Sequence, residues 1–373
     1  MASRTPDIKH NLNVSNGTFG VVVSLGAIGA IIAFLFVGQV VHRIGVGPSL
    51  IGTCFFLYGP ILIIPHAHSL PIYTVMNILI GFGFNGHFIV LHDQALKRQL
   101  LSGQRSIPSL HGSFSLGTLL TMILSISITS YISLAWHIDT LIGVLWAATL
   151  LSIFIMGPFL IRGSNLQEAD PPIRVKDTWS MLTKDRYIAL AYLCAVMVEF
   201  STSDWVTLLS RQEVKANQTL SILPFLIFII GMVIGRLGFH KLLKIKPEVF
   251  WIRVSTRTGG IGFMVFLLLA KHFSNHNFAL AFTCEILAFF IGGLGGSFLA
   301  GVLTQIANER SHFPAGVVVA QLSFALTVLT FLVKLLISSI VQISSITYGL
   351  MIPGALMIAL SFFNKLGPRV GNP

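Results

Sequence analysis

The chain has 373 residues, of which 54% are hydrophobic and only 10% are charged. This composition, with a mean hydropathy of +0.83, excludes an ordinary water-soluble domain, in which about a quarter of the residues are charged. The formal net charge of +11 does not indicate nucleic-acid binding, because the basic residues lie in short segments between apolar runs, where they orient a membrane protein.

Eleven apolar runs follow one another along the chain, each bounded by charged residues, Pro or Asn. A helix of about 20 apolar residues crosses the hydrocarbon core of a bilayer, whereas a barrel strand would show about ten residues of alternating polarity. We therefore predict an all-α integral membrane protein with eleven transmembrane helices. The predicted spans are 18–40, 48–67, 71–94, 107–130, 137–161, 187–209, 218–239, 249–270, 277–303, 314–342 and 346–363.

The longest polar stretch, 162–186, contains five basic and four acidic residues together with Pro171 and Pro172. This composition is typical of a linker between two helical bundles. It divides the chain into a bundle of five spans over residues 1–161 and a bundle of six spans over residues 187–373.

The distribution of basic residues predicts the orientation of the spans. If the loop that holds His42 and Arg43 is cytoplasmic, 18 of the 24 Lys and Arg residues lie inside and five lie outside. The positive-inside rule favours this arrangement over its inverse. We therefore expect a multi-pass protein of the cell membrane with a cytoplasmic linker, a cytoplasmic C-terminus and an external N-terminus.

A sequence motif occurs once in each predicted bundle. Residues 38–45 read GQVVHRIG and residues 231–238 read GMVIGRLG, so the two segments share G-x-V-x-x-R-x-G at the cytoplasmic end of a span. Such a duplication is typical of transporters built from repeats of six spans. We expect the glycines to allow close helix packing and the arginines to fix the turn. The motif residues are Gly38, His42, Arg43 and Gly45 in the first copy and Gly231, Arg236 and Gly238 in the second.

With this motif the chain resembles the major facilitator superfamily, whose halves carry G-x-x-x-D-R-x-G after their second span. Three strings also resemble the branch of sugar permeases related to fucose permeases: SRTPDIKHNLNVSNGTFG at 3–20, LHGSFSLG at 110–117 and EFSTSDW at 199–205. The resemblance implies a fold of two bundles that binds a small solute between them. It also implies transport without a cofactor.

Two departures from the family pattern affect the expected gate and the expected number of spans. His42 stands where the signature has Asp, so the acidic partner of the gate is replaced by an imidazole. The string at 3–20 resembles the external link between the first and second spans, so the resemblance implies that the first span is missing. This expectation agrees with the five spans before the linker and the external N-terminus.

Ionisable residues within the predicted spans are the main candidates for a transport path, because they are costly in hydrocarbon. Glu199 lies about 18 Å into its span at 1.5 Å per residue, near the membrane midplane. It could carry a proton if burial favours its neutral form. Lys334 could pair with Glu285 or Asp204, and Trp205 could stack on a sugar ring. The alternative for each is a static pair, or an aromatic side chain at the membrane interface.

Histidine and cysteine give no sign of a metal site. His87 and His92 are five residues apart and do not share a helix face, while His92 and His111 could line a polar cavity or simply pack between helices. The three cysteines, Cys54, Cys194 and Cys284, lack C-x-x-C spacing, which argues against a zinc site or a disulfide framework. We therefore expect neither a metal nor a cofactor.

Secondary active transport of a small solute, such as a sugar, is the function that these observations favour. The expected partners are the lipid bilayer, the solute and H+, and we expect a monomer. A degenerate transporter or non-transporting receptor is the alternative, since the signature Asp and a span are missing. An enzyme is the weakest hypothesis, because the sequence contains no H-E-x-x-H or G-x-S-x-G motif and no phosphate-binding loop.

Overall fold

The computed structural model describes residues 2–102, 107–161, 185–311 and 315–363, and these residues are largely helical, without a strand. The N-terminal half comprises helices α1 (Thr5–Leu12), α2 (Asn16–Ser24), α3 (Gly26–Ile44), α4 (Val46–Ile63), α5 (Leu70–Ser102), α6 (Ile107–Ile128) and α7 (Leu134–Met156). The C-terminal half comprises α8 (Arg186–Gln212), α9 (Leu223–Leu242), α10 (Glu248–Phe273), α11 (Phe278–Gly296), α12 (Leu299–Glu309), α13 (Ala315–Ile343), α14 (Ile346–Gly349) and α15 (Met351–Leu360).

The prediction of an all-α membrane protein is confirmed. Within the described ranges, nine helical stretches are long and apolar enough to cross a membrane. Two shorter apolar helices, Leu116–Ile128 and Ile346–Leu360, occupy the places of the two remaining predicted spans. The predicted linker at 162–186 lies outside the described residues except for Asp185 and Arg186, so the division into domains stays a prediction.

Helix boundaries differ from the predicted spans at several places, and two of the differences have a clear physical reason. Helix α5 continues beyond the predicted end at residue 94, and an ion pair of 2.7 Å between Asp93 and Lys97 supports the added turns. The ninth predicted span is two helices, because the chain leaves α11 at Ser297, whose hydroxyl donates to the carbonyl of Leu294. A serine hydroxyl that bonds to a nearby carbonyl competes with the regular helical pattern.

The two halves repeat one packing scheme. In the N-terminal half α3 and α4 both pack on α5, and α4 also packs on α7. In the C-terminal half α9 and α10 both pack on α11, and α10 also packs on α15. Helices α3 and α9, which carry the duplicated motif, therefore hold equivalent places in the repeat.

The helical bundle has two opposite ends, which we call the N-terminal face and the linker face. The N-terminal face is the end at which α1 lies: Asn11 donates to the carbonyl of Pro65 and Arg4 donates to the carbonyl of Ile132. The linker face is the opposite end, where Asp185 begins α8 and Gln94 bonds to Ile161. The seam is the surface along which α2 of the N-terminal half packs on α13 of the C-terminal half.

Candidate functional site

An ion pair connects α8 and α13 beside the seam. Lys334 Nζ lies 2.7 Å from Asp204 Oδ2, and both side chains are 18% exposed. The same ammonium lies 5.8 Å from the centre of the Phe200 ring. Of the two partners that the sequence left open for Lys334, the structure places Asp204 beside it, which neutralises both charges.

A small cavity lies at this ion pair and is lined by both halves of the protein. Helix α2 contributes Gly20 and Ser24, and the C-terminal half contributes Asp204, Trp205 and Lys334. The cavity is about 10 Å³, which is room for about one water molecule. The charged pair is therefore largely, though not fully, buried in this conformation.

Gly20 allows α2 to approach the C-terminal half closely. A Cβ atom at this position would lie 2.5 Å from Cζ2 of Trp205 and would also collide with the hydroxyl of Ser338. Trp205 is only 3% exposed. Its ring is therefore packed against α2 in this conformation, rather than open to a solute.

Hydrogen bonds at the N-terminal face hold the two halves together above the cavity. Gln342 Oε1 accepts from the hydroxyl of Ser15 at 2.6 Å and from the backbone N–H of Gly17 at 3.1 Å. Asn16 Nδ2 donates to Gln212 Oε1 at 2.7 Å. We call these three hydrogen bonds the latch, because they join the start of α2 to the ends of α8 and α13.

The segment before α2 adds further contacts between the halves at the same face. Asp7 accepts a hydrogen bond of 3.2 Å from Gln218, and the carbonyl of Ala2 accepts one of 2.8 Å from Thr207. Arg4 is 2% exposed and donates to Nδ1 of His137 at 2.9 Å. Together with the latch, these contacts close the N-terminal face.

The residues of the latch do not stand out in the sequence. Asn16, Gln212 and Gln342 are uncharged polar residues at the ends of apolar runs, where such residues usually contact water or headgroups. The one pattern near any of them is the string at 3–20, which contains Asn16 and lies beside the first span. Nothing in the sequence indicated which helix ends this segment would contact.

The second copy of the motif is connected to Glu199. Arg236 Nε donates to the carbonyl of Ser297 at 2.9 Å, and an Nη atom of Arg236 lies 3.9 Å from Glu199 Oε2. The structure therefore joins a predicted gating residue to the predicted proton carrier. Glu199 and Arg236 are 41% and 39% exposed, so Glu199 is less enclosed than its position at mid-helix suggested.

The packing role predicted for the motif glycines is correct for one of them and wrong for two. A Cβ atom at Gly231 would lie 2.7 Å from the carbonyl oxygen of Phe290, so α9 and α11 are in close contact there. At Gly38 and Gly238 a Cβ atom would meet nothing within 4 Å. Both residues lie on a side of their helix that faces away from the neighbouring helix, since Val37 beside Gly38 is buried and Phe239 beside Gly238 stacks on Phe298. Gly45 has a different role, because its φ of +88° ends α3 in a conformation that favours glycine.

The remaining residues of the first motif copy are exposed. In the part of the chain that the structure describes, neither His42 nor Arg43 takes part in an ion pair. The two copies of the motif therefore hold equivalent places but have different surroundings, since Arg236 has an acidic neighbour.

His92 does not line the cavity at the seam. His92 is buried, bonds through Nδ1 to the carbonyl of Phe88 at 3.0 Å and lies with its ring 3.7 Å from the Phe88 ring. His111 belongs to α6, but its side chain lies outside the described part of the structure. Among the described residues there is no cluster of three His, Cys, Asp or Glu side chains that could hold a metal ion.

Glu285 lies inside the C-terminal half, apart from the seam. Its side chain on α11 is fully buried, and Oε2 accepts a hydrogen bond of 3.1 Å from Ser210 of α8. Lys334 is paired with Asp204, so the alternative pairing of Lys334 with Glu285 is wrong. The five predicted path residues of the C-terminal half thus fall into three places: Glu199 by the motif, Asp204, Trp205 and Lys334 at the seam, and Glu285 within the half.

Comparisons with known proteins agree with this geometry. No curated protein sequence matches the chain. The solved nucleoside transporter NupG is 12% identical and superposes with a TM-score of 0.71 over 98% of this chain and 93% of that one. A D-xylose-proton symporter is 14% identical, with a TM-score of 0.70 over 98% of this chain and 93% of that one. At these identities the likeness shows the fold alone.

The match to a protein family concerns the sequence itself and not only the fold. A model described as Major Facilitator Superfamily matches residues 4–311, which extends through the first bundle into the second and includes the motif at 38–45 and its second copy. The repeat of packing, the enclosed ion pair at the seam and this match lead to one conclusion: the chain is a multi-pass membrane protein that belongs to the Major Facilitator Superfamily of transporters.

Proposed function

We propose that the protein is a proton-coupled secondary transporter that carries a small polar solute of the sugar or nucleoside class by alternating access. The observation that carries this proposal is the enclosed Asp204–Lys334 pair in a cavity lined by both halves. The solved proteins with the same fold include a nucleoside transporter and a D-xylose-proton symporter. These two names suggest the class of solute.

The proposed orientation places the N-terminal face outside the cell and the linker face in the cytoplasm. It rests on the excess of Lys and Arg in segments at the linker face. With this orientation in the cell membrane, the latch closes the external entrance. The structure then corresponds to a state in which a solute would enter or leave the seam from the cytoplasm, and one chain contains both halves that a monomer needs.

The chemistry of the pair suits a solute rich in hydroxyl groups. Asp204 offers carboxylate oxygens that accept hydrogen bonds, and Lys334 offers an ammonium group that donates them. Separating the two charges inside the membrane is unfavourable unless other polar groups replace the lost contact. A bound solute would supply those groups, so solute binding and rearrangement of the seam would be linked.

Uptake into liposomes tests this proposal. The purified full chain would be reconstituted and offered radiolabelled D-xylose or uridine, with and without an inward proton gradient. We expect uptake of at least one probe above that of empty liposomes.

We expect Asp204→Asn to reduce this uptake about tenfold or more, because loss of one partner leaves the other charge buried and unpaired. Asp93→Asn is the matched control, since Asp93 also pairs with a lysine, Lys97, at 2.7 Å but lies away from the seam. Equal uptake by Asp204→Asn and the control would reject the role of the pair, and no uptake by the wild type would reject this solute class.

A non-transporting receptor is the second candidate, and the surroundings of the first motif copy favour it. His42 replaces the signature Asp and, like Arg43, is exposed and makes no ion pair among the described residues. A receptor would bind a solute without moving it. Saturable binding of D-xylose or uridine to the purified protein, with no uptake into liposomes at any gradient, would support this candidate over the transporter.

A further inference from the structure

A carboxyl group without a charged partner is buried inside the C-terminal half. Glu285 of α11 has no exposed surface. Its Oε2 accepts the hydrogen bond from the Ser210 hydroxyl, and its Oε1 has no hydrogen-bond partner among the described residues. It takes part in none of the described ion pairs, which sets it apart from Glu199 and Asp204.

The charged groups nearest to Glu285 do not neutralise it. Glu213 directly follows α8, and its carboxylate accepts from the hydroxyl of Thr347 and lies 3.4 Å from Lys271 Nζ. Lys271, from α10, is therefore already engaged by another carboxylate. The half of α9 nearest the N-terminal face, residues 223–234, contains no ionisable side chain. Cys284 is the neighbouring titratable residue on α11 itself, and it is buried.

Burial of this kind favours the neutral form of a carboxyl group. An ionised carboxylate needs water, a cation or several hydrogen-bond donors, and Glu285 has one hydroxyl. As a carboxylic acid, the same side chain carries no charge and can donate its own proton to a hydrogen bond. The residue lies seven positions after the start of α11, about 10 Å from that helix end at 1.5 Å per residue. A modest opening of the N-terminal face would therefore bring water to it.

The contacts of α8 connect Glu285 to the latch. Ser210 donates to Glu285, and Gln212, two residues later on the same helix, accepts from Asn16 of the N-terminal half. Separation of the halves at the N-terminal face would break the Asn16–Gln212 bond, so this end of α8 would lose a contact with the N-terminal half. The hydrogen bond between Ser210 and Glu285 lies within the segment that would move.

We propose that Glu285 is a proton-binding site, which takes up a proton from the medium at the N-terminal face while the latch is open, holds it in the closed conformation and releases it on the linker side before the latch reopens. The proton is taken up from water and returned to water, so the carboxyl group alternates between its neutral and ionised forms. This inference rests on the proposed transport function, and it assigns the coupled proton to Glu285 instead of Glu199.

The first test measures protonation without requiring transport. Infrared spectra of the purified full chain in lipid at neutral pH should show the carbonyl band of a protonated carboxylic acid. We expect Glu285→Gln to remove this band and Glu199→Gln to leave it, while Ser210→Ala should shift its frequency. Opening the latch with Asn16→Ala should speed the isotope shift of the band after transfer to heavy water. A spectrum that Glu285→Gln leaves unchanged would show that Glu285 is ionised and would overturn the proposal.

The second test concerns coupling and uses the liposomes with D-xylose and uridine. Glu285→Gln mimics the protonated side chain, so we expect it to retain solute exchange at equal pH on both sides. It should lose the stimulation by an inward proton gradient, whereas Glu199→Gln should keep it. Retained stimulation in Glu285→Gln would refute the inference even if transport is established. If the wild type carries neither probe, the transport proposal fails and the infrared result alone decides whether Glu285 binds a proton. Glu285→Asp, which keeps an ionisable group, shows whether any loss reflects folding.

Discussion

The two halves share one packing scheme. They differ in whether a further helix packs between α13 and α15 in the C-terminal half and between the equivalent helices α6 and α7 in the N-terminal half. In the C-terminal half, α8 packs against α11, α13 and α15 and is 67% buried across its most apolar stretch. In the N-terminal half, the equivalents of α13 and α15 are α6 and α7, and among the described residues no helix fills the place between them. Helix α7 accordingly has none of its most apolar stretch buried.

From this difference we expect the N-terminal half to depend on the seam for its stability. Helix α6 contacts α9 of the other half, and Ser130, just after α6, bonds to Thr219 of the C-terminal half. The turn between α6 and α7 is held by Arg4 through the carbonyl of Ile132. The contacts that close the N-terminal face thus also hold α6 in place. We therefore expect variants to affect the two halves unequally.

The largest effect should come from Arg4, which connects the segment before α2 to α7. Arg4→Ala would remove the hydrogen bonds to His137 and Ile132 and the ion pair of 3.0 Å with Asp7. Because Arg4 and His137 are buried, the ring nitrogen of His137 would lose its donor without gaining water, and Asp7 would lose its cation. We therefore expect a loss of about 3–5 kcal/mol in the free energy of unfolding. Thermal unfolding of the purified protein measures this loss. Arg43→Ala is the matched control and should change stability by less than about 0.5 kcal/mol, because Arg43 is exposed. Equal stability of the two variants would show that the N-terminal segment does not support α7.

A pair of identical substitutions compares the central helix of one half with the exposed helix of the other. Leu208 of α8 is fully buried, whereas Leu151 of α7 is 58% exposed. Leu208→Ala should cost about 2–5 kcal/mol through lost contacts and a cavity. Leu151→Ala should cost well under half of that, because little packing is lost. Unfolding of both variants in a series of denaturing detergent mixtures gives the comparison. A large loss for Leu151→Ala would mean that α7 packs against another helix in the membrane.

The sequence predicted the helices well and their contacts poorly, for physical reasons. Apolar runs of about 20 residues can only be helices in a membrane, so the eleven spans and the duplicated motif were legible. The partner of Lys334 was not, because Asp204 and Glu285 lie at similar depths and only the rotation of α8 and α11 decides between them. The latch was missed because Asn16, Gln212 and Gln342 are far apart in the sequence and carry no charge. His42 was visible as a departure, but its exposure depends on where α3 ends.

The seam should be sensitive to a single added methyl group. Gly20→Ala would place a Cβ atom against Trp205 and Ser338, so we expect a loss of about 1–3 kcal/mol from overpacking. The same change at Gly38, where nothing lies within 4 Å, should leave the seam unchanged and slightly favour the helix. Thermal unfolding compares the two variants. If Gly20→Ala is as stable as Gly38→Ala, then α2 and α8 are not in close contact in the membrane, and the enclosed cavity at Asp204 is not present there.

The smallest effect should come from the latch, where Asn16 and Gln212 join the two halves. Asn16→Ala or Gln212→Ala removes one hydrogen bond of 2.7 Å, worth about 1 kcal/mol, and should raise the population open at the N-terminal face about fivefold. The measurement is the rate at which a membrane-impermeant maleimide labels a cysteine at Ser24, which is 2% exposed in the closed seam. Asn275→Ala is the control, because Asn275 bonds to Lys215 at the same face but within one half.

The double variant Asn16→Ala with Gln212→Ala should label no faster than either single variant, since both remove the same bond. Additive increases would mean that the two residues act through different contacts, and the halves would then be held together by Gln342 instead.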